Sequence, residues 1–384
     1  MKKRFFPLAL ILTVCVLLAL FGLWFFYFRF VETTEDAYVS GNQVVVNTQV
    51  DGFVQAVYCQ DTEMVKQGDL LVVLDPTDQT IALEKAKEAL ANAVRDYCSL
   101  QETASSLEAD KQVQIAHFIR TGQDYSHRKE LIASGAISLE DLQHAEASFT
   151  AAFAATLLAE HKLQAVKAQL NGTTIQTYPL IVQAKEEVRE SFVNLKRCKI
   201  FSPATGMVAR KLVQVGESIS AKDSLLVIVP FDQMWVDANF KEIQLKHVKS
   251  GQPVRMHADL YGRERIFHGT VLGINAGTGS VFSVLPPQNA TGNWIKIVQR
   301  LAVRISLDPD EVEAYPLRLG LSMNVKIDVR DKAEEVVNQG KFTTDVFAHQ
   351  MDGADELIEQ ILQANTFHPT DPSFMNLYGP KLFK

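Results

Sequence analysis

The chain has 384 residues, 47% of them hydrophobic, enough to bury two or three cores of ordinary size, so it is not a disordered polymer. Its net charge is -7 and no Lys/Arg block follows Lys2, Lys3 and Arg4, which argues against nucleic acid as a partner. Nine histidines without an H-x-x-x-H pair, and four cysteines (Cys15, Cys59, Cys98, Cys198) without C-x-x-C spacing, argue against metal sites; free thiols are expected.

Residues 1–6 carry the cations, and Pro7 to Phe28 carry no charge at all. A run of this length reaches the roughly 20 residues a bilayer-crossing helix needs. A cleaved signal peptide has a shorter apolar core and a small-residue cleavage site, whereas this run ends in Trp24, Phe25, Phe26 and Tyr27. Residues 7–30 are therefore expected to be a retained single-pass anchor. Three cations before the span against lone Arg29 after it keep the N-terminus cytoplasmic and place the body on the other side.

Residues 31–47 read as a linker with a first barrel-adjacent strand. Residues 48–76 then match residues 202–230 at an offset of 154 without a gap, within halves expected at 48–76 and 198–230. Gly52 falls on Gly206, Val54 on Val208, Asp69 on Asp223 and Pro76 on Pro230. Each half reads as short strands with a Gly where the chain turns, a polar turn marked by Asp69 or Asp223, and an apolar run ended by Pro. A half of about 30 residues cannot bury a core alone, so the two should pair.

Between the halves, residues 77–197 have helical periodicity. Leu83, Ala86, Leu90, Ala93, Tyr97, Leu100, Ala104 and Leu107 step by three and four, as do Leu142, Ala145, Phe149, Ala152, Thr156, Ala159, Leu163, Val166 and Leu170. The first seam weakens at Lys111 and Gln114 and resumes at Phe118. A tip at 127–138 contains the turn 133–136, followed by Ser138 and Asp141 as a capping box. Asn171, Gly172 and Pro179 interrupt the return arm. The arms match in length, each roughly 80 Å at 1.5 Å per residue. Self-association of a coiled coil is the alternative use of such a hairpin.

Residues 231–330 return to strands, near 253–260, 266–274, 294–307 and 322–329, as a small β-barrel. Residues 331–384 hold a short amphipathic helix near 354–364 and a tail. No G-x-S-x-G, Walker loop or G-x-G-x-x-G opening a helix occurs, and Gly277 and Gly279 sit in a barrel loop, so no enzyme is expected.

The fold class is thus multidomain α+β: an N-terminal transmembrane helix, a split β domain interrupted by a long α-helical coiled-coil hairpin, and a small β-barrel. The paired halves resemble a biotinyl/lipoyl-like domain. The joining turn that bears the modified lysine in such domains is replaced by the hairpin, so no cofactor is expected. Residues 235–242 (with Trp235, Asn239 and Phe240), 277–305 (with Gly277, Gly279, Asn289, Gly292, Asn293 and Trp294) and 315–322 resemble the EmrA-type periplasmic adaptors of the membrane-fusion (HlyD) family. The resemblance covers residues 30–330, and segments 34–43, 75–78 and 356–365 also fit it. It implies a non-catalytic adaptor in the bacterial inner membrane, joining a major-facilitator drug/proton antiporter to a TolC-type outer-membrane channel and self-associating into a trimeric or hexameric ring. An adaptor of an ATP-driven type I protein-secretion system is the alternative. The resemblance further implies channel contact at the tip through an Arg-Leu pair, a Leu and a Ser. Here His127 and Arg128 hold the first two places, and Leu131 and Ser138 match. Packing under the turn for Leu131, and capping for Ser138, are their alternative roles.

Overall fold

The computed structural model describes residues 5–23, 25, 30–132, 135–279, 281, 298–330 and 342–366. In chain order the elements are α1 (Phe5–Leu23), β1 (Val31–Gly41), β2 (Val44–Asn47), β3 (Gly52–Val57), β4 (Met64–Val65), β5 (Leu70–Leu74), α2 (Thr77–Ile132), α3 (Leu139–Leu170) and α4 (Pro179–Arg197). They continue with β6 (Lys199–Phe201), β7 (Gly206–Lys211), β8 (Ser218–Ile219), β9 (Ser224–Val229), β10 (Met234–Lys241), β11 (Pro253–Ala258), β12 (Phe267–Ile274), β13 (Arg300–Ser306), α5 (Pro309–Ala314), β14 (Ser322–Asp328) and α6 (Ala354–Asn365). The chain divides into two units, residues 1–73 with 200–346 and residues 74–199 with 347–384.

The apolar N-terminal run is helical where it is described. α1 has 19 residues, a rise of about 28 Å. Among the described residues no helix is long and apolar enough to cross a membrane. Trp24 and residues 26–29, the rest of the expected span, lie outside the described residues.

In the first unit β1, β10, β13, β12, β11 and β14 close into a barrel. Strict alternation drives it: along β10, Met234, Val236, Ala238 and Phe240 turn inward while Trp235, Asp237 and Asn239 turn outward. The inward set joins Met256, Phe267, Val271, Val303, Ile305, Val325 and Ile327 in one core. Residues 31–47 thus hold the expected barrel strand, β1, but no linker, since β2 belongs to the split domain.

The two halves form two four-stranded sheets, β2-β9-β7-β4 and β6-β5-β3-β8, each mixing strands from both halves. The internal repeat is expressed bond by bond. Gly68 N donates to Ser202 O at 2.9 Å and Lys222 N to Thr48 O at 2.8 Å; Thr62 N donates to Val208 O and Gly216 N to Val54 O, both at 2.8 Å. Every one of these partners is related by the offset of 154. These four amides find their acceptors only in the other half, which is why both must be present. Gly52 and Gly206, expected at turns, instead open β3 and β7 without positive φ. Gly206 is required by close approach, because a Cβ there would stand 2.5 Å from Val229 O.

In the second unit α2 pairs with α3 and then α4. The break between the return helices is a loop: Asn171 (φ 45°) and Gly172 (φ 66°) end α3, and Pro179 takes the first turn of α4. Tyr97 Oη donates to Thr173 O at 2.9 Å and its ring lies 5.2 Å from Tyr178, so the loop is fastened to α2. The amphipathic helix expected near 354–364 is α6, which buries Ile358 and Leu362 against Leu83, Leu90, Val94, Ile181 and Val188.

Candidate functional site: the hairpin tip and the barrel face

The tip is built by its caps. α2 runs to Ile132, Gly135 takes φ 74°, and Ser138 caps α3. Asp141 N donates to Ser138 Oγ at 3.1 Å, while Ser138 N and Oγ donate to Asp141 Oδ2 at 3.3 and 2.7 Å. Those bonds from Ser138, with the nearby Arg128 charge adding to them, hold the Asp141 carboxyl below the usual aspartate range. Ser138 thus performs the capping role, with its side chain at the exposed surface.

Arg128 Nε donates to Asp124 Oδ1 at 3.1 Å and Nη1 to Asp141 O at 3.4 Å, so its guanidinium bridges the two arms beneath the turn. His127 is exposed beside it, and Leu131 is 47% exposed rather than packed away. Leu139, directly after the cap, is 64% exposed, and residue spacing gave no reason to single it out. A large apolar side chain at the first position of a helix that closes a turn was the available signal. The turn is supported from below by stacked rings, Tyr125 on Phe149 at 5.8 Å and Phe149 on Phe118 at 5.0 Å. The arms pinch there, because a Cβ at Gly122 would meet the Phe149 ring at 3.0 Å.

In the paired halves, Asp69 accepts Lys66 N at 2.7 Å and Asp223 accepts Ser220 N at 2.8 Å. Sequence reasoning missed a second set at the same offset. Glu63 accepts Gln60 N and Glu217 accepts Gln214 N, both at 2.9 Å, and Thr48 and Ser202 each donate a buried hydroxyl bond of 2.6 Å two residues on.

On the barrel, Phe240 is core, whereas Trp235 and Asn239 share the outer face. Trp235 Nε1 donates to Asp237 Oδ2 at 2.9 Å, and Arg304 lies 4.2 Å over the indole. Asn239 Nδ2 donates to Asp36 Oδ1 at 3.2 Å, and Asp36 also pairs with Arg300. These residues tie β1, β10 and β13 together from outside. Gly277 and Gly279 follow β12 in a loop, while Asn289, Gly292, Asn293 and Trp294 lie outside the described residues. A cleft of about 450 Å³ is lined by Glu264, Arg265, Ile266, Phe267, His268, Asp310, Glu311 and Ala314. Among the described residues no three His, Cys, Asp or Glu side chains are placed to hold a metal.

The model of the EmrA α-helical hairpin domain matches residues 77–198. The multidrug export protein EmrA of Escherichia coli (strain K12) is 43% identical over 347 residues, 89% of each chain. The protein of the same name from Haemophilus influenzae is 40% identical over 95% of each chain, and the fatty acid resistance protein FarA of Neisseria gonorrhoeae is 44% identical over 77% of this chain and 75% of that one. The chain belongs to the EmrA family of multidrug export proteins.

Proposed function

We propose that the chain is a non-enzymatic membrane-fusion adaptor that carries drugs and other toxic hydrophobic compounds out of the cell in company with two partners. One is an inner-membrane major-facilitator drug/proton antiporter, and the other a TolC-type outer-membrane channel. Residues 7–30 anchor it in the inner membrane and the body works in the periplasm as a trimeric or hexameric ring. The observation that carries this reading is the 43% identity to a multidrug export protein sustained over 89% of both chains. The tip geometry supports a channel-facing role for His127, Leu131 and Leu139, which stand at its exposed surface. Arg128 then serves by holding the turn, through the bridge from Asp124 to Asp141. Ser138 serves as its cap.

Co-expression with a major-facilitator drug/proton antiporter from the same organism, in a bacterium lacking its own EmrA-type pump but retaining its outer-membrane channel, tests this. Resistance to hydrophobic toxins should rise. Leu131→Asp should abolish the gain while membrane-fraction levels stay unchanged. No gain from the wild-type chain would overturn the export reading, and full resistance from Leu131→Asp would remove the tip from channel docking.

A further inference from the structure

The barrel has one rim where Val31 of β1, Lys241 of β10, Arg300 of β13, Ile274 of β12, Pro253 of β11 and Asp328 of β14 meet. Chain continuity ties this rim to α1: eight peptide steps separate Leu23 from Val31, a reach of at most about 28 Å. The 3-10 turn Glu242–His247 and the loop to β11 crown the rim. Both are pinned. Gln244 Nε2 donates to Glu32 Oε2 at 3.1 Å and to Thr33 O at 3.2 Å, and the buried Gln252 Nε2 donates to His247 O at 3.0 Å.

On this fixed crown Ile243 is 80% exposed, more than any other large apolar side chain among the described residues. Glu242 N donates to Gln299 O, which brings the segment leading into β13, with Val298 56% exposed, to the same rim. Within six residues of Ile243 the chain carries Lys241, Lys246 and Lys249, all exposed and in no ion pair among the described residues. Arg300 and Arg330 are occupied by Asp36 and Asp328. Glu242 is the one acidic side chain on the turn itself. Exposed aliphatic side chains accompanied by unpaired lysines have the composition of an interfacial membrane contact, where the apolar groups enter the acyl boundary and the ammonium groups meet phosphate.

We propose that this rim rests on the membrane surface, with Ile243 in the headgroup–acyl boundary and Lys241, Lys246 and Lys249 on anionic phospholipid headgroups. The proposal rests on the reading of α1 as part of the anchor. Such seating would fix the barrel against the bilayer, at the foot of the assembly.

The test uses the full chain reconstituted in lipid nanodiscs, with Ile243→Trp as a depth probe. Discs of phosphatidylcholine alone are compared with discs that also contain phosphatidylglycerol, each with and without acyl-chain bromine. In the anionic discs bromine should quench the added indole roughly twofold, and the effect should vanish in high salt or when all three lysines are replaced by Gln. Bromine quenching no greater than that of the parent chain, whose Trp24 lies in the expected anchor, overturns the proposal and leaves the rim to water or to a protein. Quenching that ignores both headgroup charge and the lysine substitutions overturns it as well, because the lysines would then play no part. Retention of the chain on the discs through a salt wash is read separately, and loss there would fail the anchor itself.

Discussion

Residue-scale strain is distributed by the internal repeat. Four turn positions have positive φ in two matched pairs: Gly68 (88°) with Lys222 (81°), and Thr62 (70°) with Gly216 (86°). The pairing of the halves imposes the conformation at each, since the amide at each makes one of the reciprocal bonds; glycine accepts it freely in only one member of each pair. Gly68→Ala should therefore cost about 1 kcal/mol, whereas Lys222→Gly should be neutral or stabilising by a few tenths, as measured by shifts in denaturation midpoint. Gly269 fails for a different reason. A Cβ there would overlap Ser306 O on the paired strand β13, so Gly269→Ala should cost roughly 3 kcal/mol or more and broaden the melting of the barrel. At the cleft, burial alone would raise the Glu311 carboxyl, but bonds from His268 N (2.6 Å) and the His268 ring (2.7 Å) outweigh it and leave the group below the usual glutamate range. A depressed carboxylate contributes stability above its unfolded value near 4.3, and that contribution is lost as pH falls through the lower folded value. Glu311→Gln should thus lower stability at neutral pH by under about 1 kcal/mol, the pair being partly exposed, and the deficit should fade below about pH 4 in pH-resolved denaturation.

At the scale of elements, α6 makes a third wall for the hairpin base. Ile358 and Leu362 are 2% and 3% exposed, and Arg189 reaches Asp355 at 2.7 Å. Ile358→Ala should cost about 2–4 kcal/mol, read as faster hydrogen exchange in α2 near Leu90 and in α4 near Val188. The helix itself was legible, since its apolar spacing marks 354–364, but its partner was not: nothing in residues 354–365 names the face of α2 and α4 that it covers. The hairpin and the paired halves were legible for the opposite reason. Steps of three and four bring their own partner on the return arm, and a gapless offset states which strand repeats which. The turn glycines were misplaced because Gly52 and Gly206 look like punctuation in a string, while the need at Gly206 comes from Val229, 23 residues away in sequence. At the tip, the family resemblance pointed to Arg128 but could not say that Asp124 and Asp141 already hold it. Leu139 went unnoticed because an apolar residue inside a helix normally reads as core.

For the molecule as a whole, the hairpin's resistance to opening must come from packing, and its packing is graded along its length. Below Tyr97 the arms share three helices and an aliphatic core of Leu83, Leu90, Val94, Ile181, Val188, Ile358 and Leu362. Beyond Tyr97 no residue of α2 is fully buried, and the facing side of α3 offers mainly Ala145, Ala152, Ala159 and Leu163. There the seam is crossed by ion pairs instead, Lys111 with Glu160 at 2.6 Å and Lys167 with Glu108 at 3.0 Å. Exposed pairs of this kind contribute little and weaken with salt, while buried aliphatic contacts do not weaken. Toward the tip the rings of Phe118, Tyr125 and Phe149 restore apolar contact. Amide exchange should therefore be slowest around residues 83–97 and 181–188, fastest around 105–115 and 156–167, and intermediate around 118–125. Raising salt should accelerate only the middle zone, and Lys111→Ala with Lys167→Ala should reproduce that acceleration at low salt. Uniform exchange along both arms would mean that the hairpin opens as one unit, with the base lending its stability to the whole length.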